Sequence, residues 1–124
     1  MTALREPLNL GDLLKFEAPN LYSRDLATVA AGQVLKLGAV VAFDTSSKLV
    51  ALDPTAGDSR AEAVGVLAND IDASLIDRPD ALLIAREAIV ASHALTWPTG
   101  ITPAQQATAI AQLQARGVLV RTAA

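Results

Sequence analysis

His93 is the one histidine of the chain, so neither a pair of histidines for acid–base work nor a His-rich metal site can be assembled. Its neighbour Ser92 offers a hydroxyl, but adjacent side chains rarely face each other on a strand or helix, so the two do not read as base and nucleophile. No Gly-x-Ser-x-Gly elbow surrounds any serine. Asn69-Asp70-Ile71-Asp72 brings two carboxylates and an amide together, the oxygen ligands that hard cations prefer. It lacks the turn glycine and closing glutamate of a helix–loop–helix calcium site, and so reads as a solvated loop. Asp53, Asp58 and Glu62 flank Arg60 as an exposed, charge-balanced loop. Gly32, Gly38, Gly57 and Gly65 are too scattered to cradle a phosphate. No spacing nominates an acid–base carboxylate pair, and without cysteine there is neither a disulfide nor a thiolate metal site. The sequence therefore predicts no catalytic residue, no cofactor and no metal, and the protein is expected not to be an enzyme.

Composition bounds the partners instead. The 124 residues are enough for one domain. Apolar residues make up 52%, but much of that is alanine and only four residues are aromatic. Such a core offers little area per residue, and self-association would supply the burial that one copy lacks. The formal charge of −3 argues against nucleic acid or an anionic membrane as partner. Arg5, Glu6, Asp12, Lys15 and Glu17 punctuate the first twenty residues, unlike a signal peptide, and no apolar run approaches membrane-spanning length. A protein made and used in the cytoplasm is expected.

The elements follow from local chemistry. Thr102 can cap a helix whose first position is Pro103, with Gln105 three residues after the cap to complete a capping box. Good helix formers run from Ala104 to Arg116 with Ile110 and Leu113 on one face, and Gly117 stands where a left-handed C-cap is needed. The spacing predicts a helix over about 103–116 and a closing strand at Val118-Leu119-Val120. From Tyr22 to Val90 the chain reads as short strands: 26–30, 34–37, 39–43, 49–52 and 64–68, separated by turn residues at 31–33, 44–48 and 53–59. Gly38 marks a bulge or tight bend. Residues 69–80 read as a polar connection, and 81–90 as one longer apolar run, strand in preference to helix on its Ile84, Ile89 and Val90 content. The fold class expected is α+β and β-rich: a small compact domain of short antiparallel strands, one clear C-terminal helix and an extended N-terminal arm.

Residues 1–20 are expected to form that arm, and 21–124 the body. Leu8, Leu10, Leu13, Leu14 and Phe16 make the arm more apolar than an ordinary terminal tail. Composition leaves two fates for it: packing on its own domain, or capture by a partner. Trp97, followed by Pro98, is open in the same way. A lone tryptophan is commonly a core or loop anchor, and also the residue most enriched at the centre of interfaces.

Three blocks in order resemble the head decoration proteins of lambda-like tailed phages. The C-terminal block is matched by Trp97, Pro98, Gly100, Ile101, Thr102, Ala104, Gln105, Ala109, Ala111, Gln112, Leu113, Gly117 and Arg121. Leu10-Gly11-Asp12-Leu13-Leu14-Lys15-Phe16-Glu17-Ala18 resembles the N-terminal block. Tyr22-Ser23-Arg24-Asp25, Thr28-Val29-Ala30-Ala31-Gly32-Gln33 and Leu37-Gly38 resemble the first core strands. The resemblance implies a structural virion protein: a homotrimer on the outside of the expanded capsid at three-fold sites, stabilising the shell against internal DNA pressure. Its partners would be other copies of itself and the major capsid protein, which the arm would clamp through Leu8, Leu10, Leu13, Leu14 and Phe16. Trp97 and Pro98 would then stand near the trimer interface or act as an anchor. The alternatives are a small β-rich ligand- or carbohydrate-binding module, which four aromatic residues equip poorly, and a phage tail or baseplate component.

Overall fold

The computed structural model describes residues 9–19 and 22–122. In chain order the elements are α1 (Leu10–Leu13), β1 (Leu14–Glu17), β2 (Arg24–Val29), β3 (Gln33–Leu35), β4 (Val40–Phe43), β5 (Leu49–Ala51), β6 (Gly65–Leu67), β7 (Ile71–Ala73), β8 (Arg78–Ile84), β9 (Ala88–Ala91), α2 (Pro103–Ala115) and β10 (Val118–Arg121). Single 3-10 turns lie at Ser59–Ala61 and Ser92–Ala94.

Five strands close a barrel in the order β2-β5-β4-β6-β8. Antiparallel registers carry most of it: Val41 opposite Ala51, Val40 opposite Val66, Val66 opposite Ile84, and Leu26 opposite Leu82. Closure rests on one parallel pair, Val29 with Leu49, backed by a 3.0 Å hydrogen bond that the Ala30 N–H donates to the Leu49 carbonyl. Beside the barrel lie a second sheet, β1-β9-β10, and a two-stranded pair, β3 with β7.

Strand periodicity sorts the apolar side chains into two cores, because successive residues point to opposite faces. Val41, Leu67, Ala81 and Leu83 join Val29 and Leu49 in one core that extends to Leu35 and Ile71 of the β3–β7 pair. Their neighbours Val40, Ala42, Val66 and Ile84 face the other way. They pack with Leu13, Val90, Leu113 and Val118, which come from the N-terminal segment, the second sheet and α2. One wall of the barrel is thus shared by two cores, so the strands with almost continuous burial (β4 and β6) need no polar face.

The fold is β-rich with one clear C-terminal helix, as its local signals predict. The Thr102 hydroxyl accepts from the Gln105 N–H at 3.1 Å while the Gln105 side chain accepts from the Thr102 N–H at 2.9 Å. Pro103 opens α2, and Gly117 takes a φ of +89° just past its end. The run 81–90 differs from expectation: it is two strands, because the chain bends at Glu87, whose φ is +50°. The connection 69–80 also contains β7 and the start of β8. The antiparallel pattern has two exceptions, β2 with β5 and β10 with β9; the latter runs parallel from Val118 opposite Ala88 to Arg121 opposite Ala91.

Residues 9–17 of the segment expected as an arm fold onto the body. Asn9 and Asp12 form a reciprocal capping box around the single turn of α1, and Leu13 enters the core with no exposed surface. β1 then pairs antiparallel with β9, Phe16 opposite Ile89 and Glu17 opposite Ala88, with a bulge after Leu14.

Candidate interaction surfaces

The residues with chemical potential are used as structural braces. Asp70 accepts from the Leu37 N–H at 2.8 Å. The Asn69 amide accepts from the Leu82 N–H at 3.0 Å and donates to the Asp80 carbonyl at 3.1 Å. Asp72 accepts from the Ser74 N–H. Asp53, Asp58 and Asp44 likewise accept from backbone N–H groups two residues on, the ordinary work of aspartate in turns. His93 is exposed on the turn Ser92–Ala94. Among the described residues no three His, Cys, Asp or Glu side chains converge as metal ligands, and no buried side-chain polar atom lacks a partner.

The buried polar residue Ser23 shows how the strands are tied. Its hydroxyl donates to the Glu87 carbonyl at 2.7 Å and accepts from the Ala18 N–H at 2.9 Å. Two ion pairs extend the brace outward. Arg24 grips Glu17 with two hydrogen bonds of 2.8 and 2.7 Å, which hold the Glu17 carboxyl below its ordinary range. Arg86 grips Asp25 similarly, donates to the Tyr22 carbonyl at 2.8 Å, and lies 5.3 Å from the centre of the Tyr22 ring.

Several large apolar side chains are also left at the surface. Phe16, Tyr22, Leu26, Val34, Leu75 and Ile76 all stand exposed, Leu26 at 74% and Leu75 at 90%. Phe16 lies on β1, Leu26 on the barrel strand β2 and Val34 on β3, while Leu75 and Ile76 lie in the connection between β7 and β8. Of the residues predicted for partner binding, Leu8 lies outside the described residues. Phe16 is presented to solvent, Leu10 and Leu14 are half-buried against the core, and Leu13 is wholly inside it. Trp97 and Pro98 are half-buried, with Trp97 packed on the core that includes Leu13 and Leu113. Their loop is stitched to the start of β4: the Thr96 N–H donates to the Gly38 carbonyl at 2.8 Å and the Val40 N–H donates to Thr96. Sequence reasoning passed over Leu26, Leu75 and Ile76. The last two carried a signal, since a pair of aliphatic residues inside a polar connection has no local reason to be there.

The barrel, the second sheet and the exposed aliphatic side chains define a β-rich domain with apolar surface available for contact. The sequence profile described as "Bacteriophage lambda head decoration protein D" matches residues 3–118 of the chain. The chain belongs to that family, and its role is decoration of the phage head; its place is the virion capsid. No curated protein matches the chain. No described helix is long and apolar enough to cross a membrane.

Proposed function

We propose that the protein assembles as a homotrimer on the outer surface of the expanded phage head, at three-fold positions, and stabilises the shell against the pressure of packaged DNA. Membership of the decoration family across residues 3–118 carries this reading. The rigid body with its exposed Phe16, Leu26, Leu75 and Ile76 supports it, since surfaces of this kind are covered in an assembly. The N-terminal segment, residues 1–20, clamps the major capsid protein by adding to an exposed strand edge, where backbone hydrogen bonds supply affinity and apolar side chains fill pockets. Leu8 and Phe16 meet the capsid protein directly. Leu10, Leu13 and Leu14 do so only if α1 and β1 leave the body, because their side chains are committed to its core. Three segments per trimer give avidity from individually weak docking. Expansion creates the composite site, so the protein, made in the host cytoplasm, joins only the expanded shell. Its net charge of −3 is harmless there because the outer surface never meets the genome.

The test is co-sedimentation with expanded, undecorated shells of the same phage, with unexpanded shells as control. Saturable binding to expanded shells alone is expected. Binding to neither form would overturn capsid attachment, and binding to both would overturn dependence on expansion. A chain lacking residues 1–8 should keep its fold and subunit number while losing shell binding.

A further inference from the structure

Residues 9–18 are fastened by contacts that run to the core, to β9, to β2 and to the bend at Glu87. The Asn9–Asp12 capping box, with hydrogen bonds of 3.1 and 3.0 Å, shapes the turn of α1, and the Lys15 ammonium donates to the Gly11 carbonyl at 3.0 Å. That turn delivers Leu13 to the core shared with Leu113 and Val118, while Leu10 and Leu14 pack at its margin. β1 then pairs with β9 from Leu14 opposite Val90 to Glu17 opposite Ala88. Arg24 of β2 grips Glu17 through two hydrogen bonds. Last, the Ala18 N–H is shared by the Ser23 hydroxyl and the Glu87 carbonyl.

These holds are coupled. Leu13 and Leu14 are consecutive, so lifting β1 from β9 draws Leu13 out of the core, and drawing Leu13 out strips the first pair of β1. Release therefore exposes a fully buried leucine, a strand pairing and a charge-assisted fork together. A capsid strand that captured β1 would restore its backbone hydrogen bonds, but the Leu13 site in the body would stand empty. Asn9, by contrast, is exposed, so the chain ahead of it sets out from the surface.

We propose that α1 and β1 stay on the body when the protein binds the shell, and that Asn9 divides the N-terminal segment in two. Residues 9–18 are the anchor, and the chain ahead of Asn9 does the capturing. The inference rests on the capsid-binding reading above and narrows it. Leu10, Leu13 and Leu14 are then anchor residues rather than capsid contacts, and Phe16 meets the capsid protein from its place on β1. The pull of the shell on the captured residues passes through the anchor into β9, the central strand of the second sheet.

The cysteine-free chain allows β1 to be stapled to β9. E17C/A88C and L14C/V90C each put two thiols at directly opposed positions of the antiparallel pair, within the span that a disulfide bridges. In the free protein at least one pair should close within a single chain, read as loss of free thiol with no change of mass on a denaturing gel. The closed form should bind expanded, undecorated shells within about twofold of its reduced form. Adding L4D/L8D to the closed form should weaken that binding by about tenfold or more. Binding that is lost on closure and restored by a thiol reductant means that β1 has to leave, and overturns the inference. Failure of both pairs to close overturns it as well, since β1 is then not held on β9. Full shell binding by the closed form carrying L4D/L8D also overturns it, because capture then does not lie ahead of Asn9. An unaltered chain that binds no shells overturns the capsid reading itself.

Discussion

Ser23 and Glu87 meet at the junction of the two sheets, 64 residues apart in sequence: the Ser23 hydroxyl donates to the Glu87 carbonyl at 2.7 Å. The same hydroxyl takes the Ala18 N–H. The Ser23 carbonyl accepts from the Ala85 N–H at 2.8 Å. The bend that separates β8 from β9 is therefore fixed by a residue just ahead of β2, and with it the place where β1 ends.

Ser23→Ala removes a fully buried hydroxyl shared by the Ala18 N–H and the Glu87 carbonyl, and leaves these two with only their direct 3.1 Å hydrogen bond. A loss of about 1 kcal/mol is expected, the net worth of a hydrogen bond given up at a buried position. Chemical denaturation measures it. Limited proteolysis between β1 and β2 should also quicken, and an unchanged cleavage rate would mean that the hydroxyl does not anchor this segment.

Arg24 and Glu17 tie β2 to β1, with both side chains about one-fifth exposed. Arg24 holds the folded-state carboxyl below its ordinary range, so on acidification the unfolded chain takes up the proton first. The pair's contribution is full above the ordinary carboxylate range near pH 4.5 and declines as pH falls below it towards the lowered folded value. Glu17→Gln should cost about 1 kcal/mol at pH 7 and flatten the stability–pH slope in the acid range. Unfolding midpoints from pH 3 to 7 for both proteins check the sign.

Gly38 takes a φ of +92°, and a Cβ there would stand 2.3 Å from the Ala94 carbonyl oxygen, which is backbone and cannot swing aside. Gly38→Ala combines left-handed strain with displacement of the loop that carries Trp97. A loss of about 3 kcal/mol or more is expected. Tryptophan fluorescence, with one tryptophan in the chain, should report a changed environment even in the folded variant.

Leu13 and Phe16 separate packing from binding. Leu13→Ala opens a cavity in a fully buried site and should cost about 2–5 kcal/mol. Phe16→Ala, at a position 54% exposed, should stay within about 0.5 kcal/mol of the parent. Shell binding should be weakened by Phe16→Ala at temperatures where both proteins are fully folded. Unchanged binding there would remove Phe16 from the capsid contact.

Features whose causes lie within a few residues were legible in the sequence. Thr102, Pro103, Gln105 and Gly117 bound α2 because capping, a missing N–H and a left-handed turn act locally. The loop at Asp44 is likewise set by a carboxylate bonding its own backbone. Tertiary structure decided the rest. Residues 81–90 carry one apolar pattern, and the bend at Glu87, held by the distant Ser23 and Ala18, makes them two strands in two sheets. The parallel course of β10 beside β9 depends on α2 carrying the chain back, which periodicity does not encode. Leu13 and Phe16 look alike as apolar residues of one segment. The turn of α1 sends the first into the core, and the pairing of β1 with β9, with its bulge after Leu14, leaves the second in water. Burial is a property of the whole packed surface, and a linear pattern reports the preference of each side chain for it without naming what covers it.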